Sequence, residues 1–143
     1  MLKKNLKKRI LCLDFGTKRI GVAVSDELLL TAQGLGVLAK EENNWLRQLD
    51  DLVKSYDVGS FVIGLPLSLK GEVNEKVNFY KKMGIILEKR YSLPVFFWDE
   101  RLSTVAAEKM LLKADISRMK RKKVRDKIAA VWILQGYLDS KRR

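Results

Sequence analysis

The stretch over residues 11–26 constrains the fold most strongly, because two apolar runs flank a short polar turn. This pattern is typical of a β-hairpin. The first run is apolar except for Asp14, which stands where the first strand is expected to end. A carboxylate beside a hydrophobic run is costly to bury unless a cation meets it. We therefore expect Asp14 either to help hold a metal ion or to be a solvated aspartate that caps the turn.

Basic residues predominate in the chain, and two of them, Lys18 and Arg19, stand beside this turn. The 143 residues include 29 Lys and Arg but only 17 Asp and Glu, so the formal net charge is +12. Such an excess predicts a polyanion as partner, nucleic acid before anionic membrane. The alternative is a basic protein that has no polyanion ligand.

The absence of histidine excludes Ser-His-Asp and Cys-His catalytic sites and any zinc site that needs imidazole. The single cysteine, Cys12, lies inside an apolar run and is interpreted as a buried core residue rather than a nucleophile. One cysteine cannot form an internal disulfide, which fits a reducing, cytoplasmic setting. No run approaches the roughly 20 apolar residues of a membrane span, so no membrane partner is expected.

Beyond the hairpin, strand and helix patterns alternate along the chain. Strands are predicted over residues 32–39, 60–63 and 94–98, and helices over 45–54, 72–90, 103–112 and 124–138. Residues 113–123 are basic and short of apolar anchors, which predicts a mobile loop, and residues 1–8 are expected to form a flexible basic tail. A three-strand antiparallel meander followed by βαβ crossovers gives one α/β domain over residues 1–143. We expect a mixed five-stranded sheet with helices on both faces.

Three acids stand out by their context: Asp14 ends the first strand, Glu100 follows the last, and Asp126 lies near the start of the last helix. Ligands of such sheets bind at the carboxyl ends of the strands. Carboxylates gathered there would hold Mg²⁺ or Mn²⁺, and two such ions can promote phosphodiester hydrolysis without histidine. Two alternatives stay open. Asp126 could be a first-turn acid favoured by the helix dipole, and Asp99 competes with Glu100, since neighbours on a strand face opposite ways.

Basic residues around these acids are candidates for contacts with the phosphates of a nucleic acid. The candidates are Lys18, Arg19, Arg101, Arg118, Lys120, Arg121, Lys122, Lys123 and Arg125. Arg101 could instead pair with an acid, which would make it structural. Contacts of this kind position a substrate and say little about its sequence.

Four segments, taken together and in order, resemble the YqgF (RuvX) family. They cover residues 14–26, 64–67, 99–104 and 126–130. The resemblance implies an RNase H-like fold and a bacterial cytoplasmic nuclease that matures the 5′ end of pre-16S ribosomal RNA. Resolution of Holliday junctions in recombination and repair has also been proposed for this family. On this resemblance Asp14, Glu100 and Asp126 map onto the acidic positions thought to be catalytic.

One departure from the related RuvC-type resolvases concerns the strand beside the first. Those resolvases carry a glutamate at its end, where this chain has Gly64. Glu100 is one strand further out, so it starts roughly 10 Å from Asp14 at the usual strand spacing. The resemblance therefore implies either that the long side chain of Glu100 closes the gap, or that the site is weaker or completes only on substrate.

Two other function classes stay open at this point. The chain could be a non-catalytic nucleic-acid-binding factor in ribosome assembly. The run over residues 14–17 also resembles the phosphate-binding hairpin of sugar kinases, actin and Hsp70 proteins, but those need two such domains. The expected partners are structured RNA such as pre-rRNA, or branched DNA, together with ribosomal particles, and the expected state is a monomer or weak homodimer.

Overall fold

The computed structural model describes residues 8–40, 44–66, 75–100 and 118–142. Its strands are β1 Arg9–Phe15, β2 Arg19–Ser25, β3 Ala32–Ala39, β4 Val58–Leu65 and β5 Val95–Asp99. Its helices are α1 Trp45–Ser55, α2 Glu75–Tyr91 and α3 Arg118–Lys141. The helix predicted over residues 103–112 lies outside the described residues, as do residues 1–7 of the predicted tail.

The five strands form one sheet in the order β3-β2-β1-β4-β5. β2 is antiparallel to β1 and β3, whereas β4 is parallel to β1 and β5. The predicted mixed sheet with its antiparallel meander is therefore confirmed. Strands β1, β3, β4 and β5 all end at one edge, which we call the carboxyl edge, and β2 begins there.

Alternation along β1 divides the core between the two faces of the sheet. Leu11, Leu13 and Phe15 are buried with residues of α1 and α2 on one face. Ile10 and Cys12 are buried with residues of α3 on the other. Side chains two apart on a strand share a face, so Asp14 continues the row formed by Ile10 and Cys12. The first carboxylate therefore stands at the carboxyl edge on the α3 face, and Cys12 is confirmed as a core residue.

Helix α3 begins earlier than the sequence pattern indicates. The prediction of a loop was wrong for residues 118–123, because the helix already starts at Arg118. This segment consists of Arg, Met and Lys, which have high helix propensity. Within α3, no Gly or Pro occurs before Gly136. The charged segment over residues 118–123, which has no apolar stripe, therefore extends a helix whose described buried residues lie further along the chain. Residues 113–117 lie outside the described residues.

The spacing of apolar residues in the last helix predicts a buried stripe through Ile128, Val131, Leu134 (or Gln135) and Leu138, and the observed stripe is rotated from it. The buried residues are Ala130, Ile133, Leu134, Tyr137 and Leu138. Both stripes repeat at helical spacing. Packing against the sheet buries the stripe that includes the small residue Ala130. Among the described residues, no helix is long and apolar enough to cross a membrane.

A charged network joins α1 to α2. Both carboxylate oxygens of Asp50 accept from the Arg90 guanidinium, at 2.8 and 2.6 Å, and the Tyr91 hydroxyl donates to the same carboxylate at 2.6 Å. The hydrogen bonds from Arg90 hold the pKa of Asp50 down at about 2, against 3.8 ordinarily. A carboxyl with a lowered pKa stabilises the folded state above its ordinary pKa and loses that contribution as the pH falls through its folded pKa.

Replacing Asp50 with asparagine is therefore expected to lower the melting temperature by a few degrees at pH 7. The difference from the wild type should shrink as the pH falls from 3.8 towards 2. Thermal unfolding followed by circular dichroism across this range checks the prediction. The control is Asp51→Asn. Asp51 is an exposed neighbour whose side chain bonds to no described residue. A difference for Asp50→Asn that is equally large at pH 7 and near pH 2 would contradict this account.

Candidate functional site

Asp14 and Glu100 reach the carboxyl edge from strands that lie on either side of β4. Leu13 pairs with Ile63, so Asp14 lies beside Gly64, one step further along. Gly64 pairs in turn with Trp98 of β5, and Glu100 follows two residues later. Alternation therefore gives Glu100 the face of Gly64 and Asp14, which resolves the competition with the intervening Asp99.

The side chain of Glu100 leans back over Gly64. A Cβ atom added at Gly64 would lie 3.4 Å from both Cγ and Oε1 of Glu100. The same atom would lie 2.7 Å from Cδ1 of Ile133 in α3. The side chain of Glu100 thus packs directly over residue 64, at contact distance from where a Cβ would stand, whereas Ile133 fills the space that a Cβ would need. The Glu100 side chain extends from the end of β5 across β4 towards Asp14. Its carboxylate therefore lies nearer to Asp14 than the spacing of the strands alone implies.

The charges of Asp14 and Glu100 both contribute to the raised pKa values of two neighbouring residues, Tyr80 and Cys12. Burial raises the pKa of Tyr80 to about 12, and the charges of Glu100 and Asp14 add to this effect. Burial, followed by the charges of Asp14 and Glu100, also raises the pKa of Cys12 well above its usual range. Coulomb interactions weaken with distance, so both acids lie near these groups. The two carboxylates therefore concentrate negative charge near the end of β1, and the raised pKa of Cys12 keeps it a thiol at neutral pH.

Tyr80 of α2 ties the helix to the strand end that carries Asp14. Its hydroxyl donates to the carbonyl oxygen of Phe15 at 3.4 Å. The raised pKa keeps that hydroxyl protonated at neutral pH, so it can serve only as a donor to this carbonyl. The sequence analysis missed Tyr80, since a tyrosine on an amphipathic helix looks like any other core aromatic residue.

Asp126 lies in α3, seven residues before Ile133, and two helical turns separate the two positions. Ile133 stands beside Gly64 near the carboxyl edge, whereas Tyr137 stacks with Phe96, nearer the beginning of β5. The helix therefore runs away from the carboxyl edge as residue numbers increase. Position 126 consequently lies towards that edge on the helical stripe of Ile133, and its side chain lies outside the described part of the structure.

Within the side chains that the structure describes, no three acids or cysteines form a cluster able to hold a metal ion. That part contributes a pair of carboxylates, Asp14 and Glu100. Carboxylate oxygens are hard ligands of the kind that Mg²⁺ and Mn²⁺ take. The donor chemistry of the pair therefore fits a divalent cation, and position 126 is where a third oxygen ligand would come from.

The candidate cations are distributed unevenly over the structure. Lys18 is exposed in the β1–β2 turn, and the half-buried Arg19 begins β2, so both lie at the carboxyl edge. Arg101 lies outside the described residues. The remaining candidates belong by their backbone to α3, and their side chains are outside the described part; they are Arg118, Lys120, Arg121, Lys122, Lys123 and Arg125.

Lys40 is a cation at this edge that the sequence analysis missed. It directly follows β3, and its backbone N–H donates to the carbonyl oxygen of Lys18 at 2.9 Å. In the sequence it only opens a polar segment between a weak strand and a helix. The direction of β3, which an antiparallel meander requires to end beside the start of β2, is the signal that could have found it.

Comparison with known proteins agrees with this geometry. The model of the RuvX family, described as Holliday junction resolvase, matches residues 8–140. A protein of Geobacillus sp. (strain WCH70) is 50% identical over 136 residues, which cover 93% of this chain and 99% of that protein. A protein of Bacillus subtilis (strain 168) is 50% identical over 135 residues, covering 92% and 98%. Both carry the name "putative pre-16S rRNA nuclease".

Among solved structures, RuvC of T. thermophilus in complex with a Holliday junction substrate has a TM-score of 0.51. The likeness covers 94% of this chain and 96% of that one, at 13% sequence identity. This likeness confirms the RNase H-like fold. The family model and the identity to relatives over more than nine-tenths of the chain together establish that the chain belongs to the RuvX family.

Proposed function

We propose that this RuvX nuclease is a metal-dependent endonuclease that hydrolyses phosphodiester bonds in structured RNA. Its proposed substrate is the 5′ end of pre-16S ribosomal RNA, and its proposed setting is ribosome biogenesis in the bacterial cytoplasm. The names of relatives at 50% identity support the substrate. The chemistry rests on the placement of the Glu100 carboxylate over Gly64, next to the strand that carries Asp14.

The proposed metal ligands are Asp14, Glu100 and Asp126, with Mg²⁺ or Mn²⁺ as the ion. When bound, the ion supplies activation of the attacking water and stabilisation of the leaving oxygen of the phosphodiester. The rigid end of β1, paired on both sides, holds Asp14 in place, and the bond from Tyr80 to the Phe15 carbonyl fixes that end further.

The cations of the carboxyl edge hold the nucleic acid in this proposal. Lys18 and Arg19 lie within a few residues of Asp14 and would meet the phosphates that flank the cleaved bond. They also offset the repulsion that the carboxylate pair exerts on a phosphate chain. Contacts of this kind fix the position of a strand but do not read bases, so recognition would come from the shape of the RNA.

A second candidate function is the resolution of Holliday junctions. The description of the family model favours it. The same carboxylates and cations would serve a branched DNA, because phosphodiester hydrolysis is the reaction in both cases. The substrate therefore distinguishes the two functions, whereas the chemistry of the site does not.

The test offers purified protein both substrates, an RNA that carries the 5′ end of pre-16S rRNA and a four-way DNA junction. Each is incubated with Mg²⁺, with Mn²⁺ or with EDTA. We expect cleavage of the RNA that depends on the metal and exceeds cleavage of the junction. Cleavage of the junction alone would support the resolvase. Binding of RNA without cleavage in either metal would overturn the nuclease and leave a binding factor.

A further inference from the structure

Lys40 stands where β1, β2 and β3 meet at the carboxyl edge. Ala39 at the end of β3 pairs with Arg19 at the start of β2. The backbone bond from Lys40 to Lys18 then closes the edge of the sheet beside the β1–β2 turn. Gly16 of that turn lies two residues beyond Asp14, a span of about 7 Å along an extended chain. Lys40 therefore lies close in space to the end of the strand that carries Asp14, although the two residues are 26 positions apart in sequence.

The ammonium group of Lys40 is held in position from two sides. Its Nζ donates to the carbonyl oxygen of Gly16 at 3.3 Å. It also lies 4.4 Å from the centre of the Phe79 ring of α2, within the range of a cation–π interaction. Phe79 itself packs edge-on against Phe15, at 5.7 Å between ring centres. The lysine is thus anchored to the strand that carries Asp14 and to the helix that carries Tyr80.

The charge of Lys40 is not neutralised within the described part of the chain. Arg9 pairs there with Glu27, and Arg90 pairs with Asp50, but no described carboxylate pairs with Lys40. An ammonium has three N–H donors, and the Gly16 carbonyl takes one of them. A half-buried cation that keeps spare donors and pairs with no described carboxylate is suited to an anionic ligand.

We propose that Lys40, together with the β1–β2 turn, forms a phosphate-binding site for the nucleic-acid backbone. The phosphate it holds lies at the carboxyl edge on the side of α2, across the end of β1 from the Asp14–Glu100 pair on the side of α3, so Lys40 sets the position of the strand relative to the carboxylates. This inference rests on the proposed function for its class of ligand. It adds a fixed cation to the exposed Lys18, and a fixed cation loses less side-chain entropy on binding.

The experiment measures RNA binding by fluorescence anisotropy in EDTA, which prevents cleavage, over a series of salt concentrations. Removing one phosphate contact reduces the slope of log K against log salt by about 0.7 to 0.9. Lys40→Met removes the charge and keeps an unbranched stem over Phe79. Lys40→Gln also removes the charge but can still donate to Gly16. Both variants are expected to bind several-fold more weakly with that shallower slope, and Lys40→Arg should restore binding.

The matched control is Lys141→Met. Lys141 also places its Nζ over an aromatic ring, 5.1 Å from the centre of Tyr137, but it is exposed at the end of α3 that is remote from the carboxyl edge. Its replacement should leave affinity and slope unchanged. An unchanged slope in both uncharged Lys40 variants, or an equal loss in Lys141→Met, would overturn this site alone. Failure of the wild-type protein to bind RNA would overturn the proposed function and this site with it.

Discussion

Replacing Asp14 with asparagine is expected to abolish cleavage of RNA, while binding of the same RNA should stay nearly unchanged. Asparagine has the size of aspartate but lacks its charge, so the site loses half of its described carboxylate pair. We expect the rate to fall by at least about 1,000-fold, which corresponds to roughly 4 kcal/mol of transition-state stabilisation. Cleavage of labelled RNA in Mg²⁺ and in Mn²⁺, with binding measured separately in EDTA, checks the prediction.

The control for this variant is Asp26→Asn. Asp26 directly follows the last residue of β2, and Asp14 likewise stands near the end of β1. Asp26 lies at the opposite edge of the sheet, where its Oδ1 accepts from the N–H groups of Leu30 and Thr31 at 2.7 and 3.1 Å. Its replacement should lower stability and leave the rate per folded molecule unchanged. Undiminished cleavage by Asp14→Asn would remove Asp14 from the mechanism.

The second large effect is expected at Gly64, although this residue has no side chain to take part in chemistry. A methyl group there would lie 2.7 Å from Cδ1 of the buried Ile133 and 3.4 Å from the Glu100 carboxylate. The 2.7 Å contact is a clash that only a movement of Ile133 or of the β4 backbone relieves, and either movement also shifts the surface on which the Glu100 side chain rests. Because displacement of a catalytic group by about 1 Å can cost about 100-fold, Gly64→Ala should slow cleavage by roughly 10- to 100-fold.

A double-mutant cycle shows whether Gly64 acts through Glu100. Glu100→Gln alone should slow cleavage more than Gly64→Ala, and adding Gly64→Ala to it should cause little further loss. Gly84→Ala is the matched control, since its new methyl group would also be crowded, 3.0 Å from the Phe97 ring, but on the α2 face of the sheet rather than on the α3 face of the carboxylates. Independent, multiplying losses for Gly64→Ala and Glu100→Gln would show that Gly64 matters only for packing.

The hairpin, the order of the strands and the position of Asp14 were predictable, because alternation and turn residues are local signals. The reach of Glu100 was not. Strand spacing alone puts its origin about 10 Å from Asp14, and the side chain approaches through the space over Gly64. That space is bounded by Ile133 of α3, which is distant in sequence, so no local pattern records it.

The same distinction explains the errors in α3 and the omission of Lys40. Two apolar stripes of similar quality run along α3, and contact with the sheet selects the one through Ala130 and Ile133. Lys40 was missed because its significance comes from Gly16 and Phe79, which the fold brings to it from β1 and α2.

The most direct test of the central claim is a crystal structure of the protein grown with Mn²⁺, with the ion located by its anomalous scattering. The account predicts an ion at the carboxyl edge, bound by carboxylate oxygens of both Asp14 and Glu100. A manganese ion bound elsewhere, or a structure at saturating Mn²⁺ in which these two carboxylates hold none, would contradict it.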